Sequence, residues 1–327
     1  MDKIKFPYRS SSHLPMLHVV AESGSWEKYG LEVEYDKRIS SRDAHAGVLS
    51  GDVEFVGGNH VSPYGHRARG DSWVYLAQTV NVVPGRVLAV RADSGINGIA
   101  DLRGKKVGTR GSHPGLNDWL ELKQHGLDVD RDDVELISQL EDSIDPVNPN
   151  AEDEDDPLWY WLRDRHVDAV FLDSAERFIA EKEPILKTIE LRTFPMIYFT
   201  TVSTSLRFAE KHPDIVERFL KGMIEGIHFF KTQPERTARI IKERYDKLGT
   251  LDDDVVRATQ ATLADALEPK LIPSMAAIAN VYEEGVRQDK EAKRVNPLAL
   301  WDMHFIRQID DSGFIENLYK DSRRAEV

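Results

Sequence analysis

The chain of 327 residues has no cysteine. That absence excludes a disulfide framework, a thiolate metal site, a cysteine nucleophile and a lipid-anchored N-terminal cysteine. No apolar run approaches the ~18 residues of a membrane-spanning helix. Basic runs are also missing, and 43 Lys and Arg stand against 56 Asp and Glu for a net charge of −13. Such a balance does not suit a nucleic-acid binder, which needs cations to meet phosphates. The N-terminus lacks the apolar core and small-residue cleavage site of a secretory signal. The expectation is therefore a cytoplasmic protein, or a periplasmic one whose export signal has been removed. A chain of this length supports about two domains and buries most of its apolar surface without staples.

Helical and strand-like segments alternate from the start. Lys3–Tyr8 reads as a strand, followed by the polar loop Ser10–Pro15. Met16–Tyr29 is predicted helical and ends at Gly30. Leu31–Asp36 alternates apolar and acidic residues, as a half-buried strand does. A helix is expected over Ser41–Leu49, then a strand in Gly51–Gly58 that runs into paired glycines. Val74–Thr79, Arg86–Arg91 and Val134–Ser138 are further strands, with a helix at Leu116–Gln124. Glu141–Pro157, rich in proline and acid, reads as a loop, and its Glu152–Asp156 run as a solvated stretch rather than a cation site. Leu158–Arg165 is a helix and His166–Ser174 a strand with its loop. From Pro213 the chain is mostly amphipathic helix, ending in a predicted single helix over Leu298–Tyr319. The alternation argues for an α/β layer structure with largely parallel strands.

The stretches Glu22–Glu34, Leu49–Gly58, Val90–Gly108, Val167–Val170 and His212–Val216 together resemble the type II periplasmic-binding-protein fold. In particular the chain resembles the branch of nitrate-, sulfonate- and taurine-binding proteins and the hydroxymethylpyrimidine-synthesis family. It implies two α/β lobes of Venus-flytrap type with a helical C-terminal segment. Lobe I would comprise 1–88 with 198–327 and lobe II 89–197, with crossovers near 84–90 and 194–201. A ligand would lie in the cleft between them, covered by hinged closure. The same fold hosts enzymes, among them an aromatic sulfinate desulfinase, dihydroxyphthalate decarboxylases, menaquinone-pathway enzymes and pyrimidine synthases. The desulfinase resemblance centres on Ala21–Gly24 and Phe55–Gly58. That enzyme carries a cysteine where this chain has Ser11 or Ser12, and an arginine where it has Phe55. The cysteine-rich motif of the pyrimidine synthases is absent too.

Three loops at predicted strand ends hold the candidate site. They are Ser10–His13, Gly57–Ser62 with His66 shortly after, and Arg110–His113 at the start of a helix. A Gly-Ser step at a helix N-terminus offers unpaired N–H groups. Ser11, Ser12, Gly58, Asn59, Ser62, His66, Arg110, Gly111, Ser112 and Asp173 are the candidate ligand-binding residues. Hydroxyls, backbone amides and one arginine suit a carboxylate, sulfonate or phosphate. Six of the eleven histidines lie before residue 114. Histidine titrates near neutrality, so His60, His13 and His113 are the candidate catalytic residues. His18 and His45 read as packing or surface residues. No metal-ligand spacing occurs among the histidines, and no cofactor is expected. Trp73, Trp159 and Trp161 could stack an aromatic ligand, with core packing as the default for each.

A decarboxylase anchors a departing carboxylate and protonates the resulting carbanion. The first expectation is therefore a lyase of that type, acting on a small anionic acid, taken as aromatic. The alternative is the substrate-binding protein of an ABC transporter for a sulfonate, nitrate, taurine or aromatic carboxylate. In that case a transporter permease is its partner. A third reading is a cytosolic ligand sensor.

Overall fold

The computed structural model describes residues 1–109, 116–137, 158–245 and 252–325. The predicted Glu141–Pro157 loop and the Arg110–His113 segment lie outside the described residues. Ten strands are described: β1 (Asp2–Lys5), β2 (Leu31–Glu34), β3 (Val56–Gly57), β4 (Trp73–Val80), β5 (Val87–Arg91), β6 (Lys106–Gly108), β7 (Glu135–Ile137), β8 (Ala169–Leu172), β9 (Leu186–Glu190) and β10 (Tyr198–Ser205). The chain divides into two units, one of residues 1–82 with 195–327 and one of 83–194.

The first unit is discontinuous. It holds the parallel pair β1–β2 and a three-stranded sheet in the order β3-β10-β4. Its core is built around the long helix Pro213–Thr232, whose buried face includes Phe219, Leu220, Met223, Ile227 and Phe230. Phe219 stacks on Phe55 with ring centroids 4.2 Å apart and meets Phe6 edge-on at 4.9 Å. Small residues allow the close approach of helices here: a Cβ on Gly226 would lie 2.7 Å from both methyl groups of Val20. Helix α1 (Leu14–Glu22) and the short α2 (Ser25–Lys28) replace the single helix predicted over Met16–Tyr29. Gly24 adopts φ +74° between them, a conformation that breaks a helix at little cost only for glycine.

The second unit is continuous, with a five-stranded sheet in the order β7-β6-β8-β5-β9. Both faces of its central strands are covered. Leu88, Val90, Val107 and Phe171 belong to one buried cluster. Val87, Ala89, Val170 and Leu172 belong to the other, with Trp159. Near-continuous apolar strands are what burial on both faces requires.

Two expectations are corrected. The strands are not largely parallel: β10 pairs antiparallel with β3 and β4, and β5 antiparallel with β8 and β9. The chain leaves the first unit after β4 and returns into β10, so outgoing and returning strands run in opposite directions. The helix predicted over Leu298–Tyr319 is a 3-10 turn at Pro297–Leu300 followed by helices His304–Asp311 and Phe314–Ala325. Gly313 at φ +76° separates the two helices. Among the described residues no helix is long and apolar enough to cross a membrane.

Candidate functional site

In the first unit, three chain segments meet around the end of β3. The first follows β1 and contains Arg9 and the 3-10 turn Ser11–His13 that opens α1. The second is the Gly57–Ser62 loop leading into the helix Ser62–Ala68. The third is the start of β10. Backbone bonds lock them together: Arg9 N–H donates to Gly57 O at 3.0 Å, and Gly58 N–H donates to Thr201 O at 2.9 Å.

Gly58 has φ +117°, and a Cβ there would lie 2.8 Å from Cβ and Cγ of Arg9. Only glycine permits both the angle and the approach. Asn59 follows in the left-handed region at φ 59°, which asparagine tolerates. Its Oδ1 accepts from Arg9 Nε at 2.9 Å. That bond orients the amide, so Nδ2 points the other way, buried and with no partner in the protein. The Tyr75 hydroxyl, buried under the loop, donates to the carbonyls of Asn59 and His60 at 3.1 and 3.2 Å. Burial pushes the Tyr75 hydroxyl well above its ordinary pKa, so it remains a donor.

Phe199 is the strained member. It has φ 60°, an uncommon conformation for a bulky residue. The β10–β4 register shifts between Tyr198 and Thr201, and this irregularity re-aims the side chain. Its ring lies 5.8 Å from that of His13 at 22° between planes. The His13 and His60 rings are nearly parallel, with centroids 6.4 Å apart and 8° between planes. Nδ1 of His13, Nε2 of His60 and Oγ1 of Thr200 are buried without a partner.

Both imidazoles are held neutral. Burial, then the neighbouring His60 and Arg9, lowers the pKa of His13 to about 3. Burial lowers that of His60 to about 4, against backbone hydrogen bonds at Phe199 and Ile197 that favour the protonated ring. The arrangement therefore presents neutral donors and acceptors beside the permanent charge of Arg9. It can hydrogen-bond an anion, and it can take up a proton.

The structure brings His13, His60, Gly58 and Asn59 together as one cluster. Ser12 is exposed on the adjoining turn, its Oγ 3.0 Å from that of Ser10, and Ser11 lies in the same turn. Ser62 and His66 are engaged elsewhere. Ser62 Oγ is 2.9 Å from Nε2 of the buried His45, whose ring stacks on His66 at 3.6 Å. His66 Nδ1 is 2.7 Å from Asp71 Oδ2. This second cluster packs on Trp73 and supports the helix after the loop. Asp173 lies in the second unit at the start of the helix Ser174–Ala180. His18 pairs with the Tyr35 hydroxyl at 3.0 Å. Arg110, Gly111, Ser112 and His113 lie outside the described residues.

Sequence reasoning missed Arg9, Tyr75 and Phe199, which hold the loop rather than sit in it. It also missed a buried charged group in the second unit. There Arg86 pairs with Asp118 and lies 3.4 Å from Glu121. Burial raises the Glu121 carboxyl to about 7. Among the described residues no group of three or more His, Asp or Glu side chains is placed to hold a metal ion.

Residues 11–237 match the family model described as NMT1/THI5 like. The chain belongs to the NMT1/THI5-like family. Solved structures agree on the fold, which is that of the periplasmic binding proteins. The periplasmic aliphatic sulphonate-binding protein SsuA from Escherichia coli superposes with a TM-score of 0.66 at 15% identity, covering 92% of this chain and 96% of that one. The alkanesulfonate-binding SsuA from Xanthomonas axonopodis, bound to MOPS, gives 0.64 at 14%, covering 92% and 98%. The enzyme DszB, in complex with biphenyl-2-sulfinic acid, gives 0.60 at 17%, covering 95% and 100%. No curated protein matches the chain by sequence.

Proposed function

We propose that this chain is the substrate-binding component of an ABC-type importer, working outside the cytoplasm and delivering a small organic anion of the sulfonate or aromatic carboxylate type to a membrane permease. The observation that carries the reading is the cluster at Gly58. Asn59 Nδ2, one nitrogen on each of the neutral His13 and His60 rings and Thr200 Oγ1 are buried without a partner in the segments around the Arg9–Asn59 contact. Buried polar groups are normally satisfied, and a ligand rich in oxygen acceptors would satisfy the Asn59 amide and Thr200 hydroxyl donors. The shared fold with two sulfonate-binding proteins supports the same reading.

The lyase reading has less behind it. The likeness to DszB bears on the fold, and the serines at positions 11 and 12 supply no thiolate.

The test is titration calorimetry with benzenesulfonate, ethanesulfonate, taurine, benzoate and nitrate, with product analysis of every mixture. Bis-tris is the buffer, because MOPS- and HEPES-type buffers are sulfonates themselves. At least one anion should bind at a single site and be recovered unchanged. A ligand at one hundred times its Kd adds about 2.7 kcal/mol of stability, which also raises Tm by several degrees. Turnover of a bound acid would restore the lyase reading, and failure of all five to bind would remove the anion-binding one.

A further inference from the structure

The His13 and His60 rings face each other almost in parallel at 6.4 Å, and each has a buried nitrogen without a partner. The backbone of Phe199 and Ile197 lies by the His60 ring and favours its protonated form. A neutral imidazole carries its proton on one ring nitrogen and a lone pair on the other. That lone pair repels the oxygen of an anion. A proton on it creates a charge-assisted donor, about twice as strong as a neutral one.

We propose that an anion enters this cluster together with one proton, which the His13–His60 pair takes up on its unpartnered nitrogens. This rests on the anion-binding reading above. Arg9, from the segment before α1, is the cation facing both rings, and each ring also faces the other. At the start of β10 and just before it, the ring of His60 meets the backbone of Phe199 and Ile197. In the free protein Arg9 opposes protonation; an anion beside Arg9 offsets that opposition. Uptake stops at one proton, because a second would place like charges on rings 6.4 Å apart. The depressed pKa values of both rings are consistent with a pair that is unprotonated at neutral pH until a counterion arrives.

The consequence is an affinity that strengthens as pH falls. Between the pKa of the free pair and the higher pKa of the bound pair, affinity drops by up to about tenfold per pH unit, the slope for uptake of one proton. The probes are benzenesulfonate and ethanesulfonate, which stay ionised throughout and so add no titration of their own. Calorimetry from pH 5.5 to 8.5, with matched runs in Tris and bis-tris, counts the protons from the buffer dependence of the heat. The expected result is close to one proton taken up per anion bound, with His60→Gln reducing that number towards zero. Should His60→Gln fail to fold, nitrogen NMR of the wild-type imidazoles replaces it. Saturation with the probe should convert one ring from neutral to protonated at pH 7. Tight binding with no proton uptake and no pH dependence overturns this proposal and leaves the anion reading standing. If neither sulfonate binds at any pH and the wider anion panel also fails, both fall together.

Discussion

Replacing Gly58 by alanine asks how much of the cradle depends on one backbone angle. Two costs arise at that position. The first is conformational: φ +117° lies where side chains are rarely found, at about 1–3 kcal/mol. The second is steric: the new Cβ would stand 2.8 Å from Cβ and Cγ of Arg9 and 3.4 Å from Cε1 of His13. The two arginine carbons lie close to the backbone, so they cannot swing away, and overpacking of this kind adds about 1–3 kcal/mol. Gly70 provides the control. It has φ +102°, and nothing lies within 4 Å of the place an alanine methyl group would take, so Gly70→Ala incurs the first cost alone. Urea denaturation should therefore rank wild type above Gly70→Ala and Gly70→Ala above Gly58→Ala, the last two separated by about 1–3 kcal/mol. Displacing Arg9 also disturbs its 2.9 Å bond to Asn59. Affinity for ethanesulfonate should fall at least tenfold in Gly58→Ala, or about 1.4 kcal/mol, and stay unchanged in Gly70→Ala. Equal stability of the two variants, with wild-type affinity in both, would refute the geometric argument.

Acid should destabilise the fold through the same rings. The pKa values of His13 and His60 are about 3 and about 4 in the folded chain, against 6.5 in the unfolded one. The unfolded state thus binds more protons between those limits, and stability present above pH 6.5 is lost as pH falls towards 4. His60 alone contributes up to about 3 kcal/mol, and denaturation midpoints that match at pH 7 and pH 4.5 would contradict this. Arg86→Met should cost roughly 3–5 kcal/mol by stranding Asp118 and Glu121. The loss should be smaller at pH 5.5 than at pH 8, because Glu121 protonates at about 7; chemical denaturation at both values checks it. Gly226→Ala should lower Tm measurably through its 2.7 Å approach to Val20, at about 1–3 kcal/mol, without changing ligand affinity.

The fold was legible because its signals are local or periodic. Ser40 caps the helix from Ser41 through its side chain, and Gly51 ends it at φ 86°, close to the predicted limits. The apolar spacing of Pro213–Thr232 likewise marks the helix that fills the first core. Strand direction was not legible, since Val87–Arg91 carries the same apolar pattern whichever way its neighbours run. In the candidate cluster, Gly58, Asn59, His60 and His13 stand out in the sequence because loops after strands concentrate polar and small residues. Phe199 could not. Nothing in Tyr198–Thr201 announces a left-handed phenylalanine; the angle is imposed by the register shift against β4. Nor could His45, whose apolar helix face concealed a stacking partner contributed by His66.

The order in which the chain is made has a bearing on when it can bind. Arg9, His13 and His60 leave the ribosome early, but the strand that braces them, Tyr198–Ser205, comes nearly 140 residues after His60. The intervening unit of 83–194 is contiguous and can mature first. The Gly58 loop stays unsupported until Thr201 accepts its amide, and the helix Pro213–Thr232 that underlies the core follows later still. A nascent chain therefore completes the 83–194 unit before the Gly58 loop is braced, and the cluster at that loop cannot assemble during synthesis of the first half.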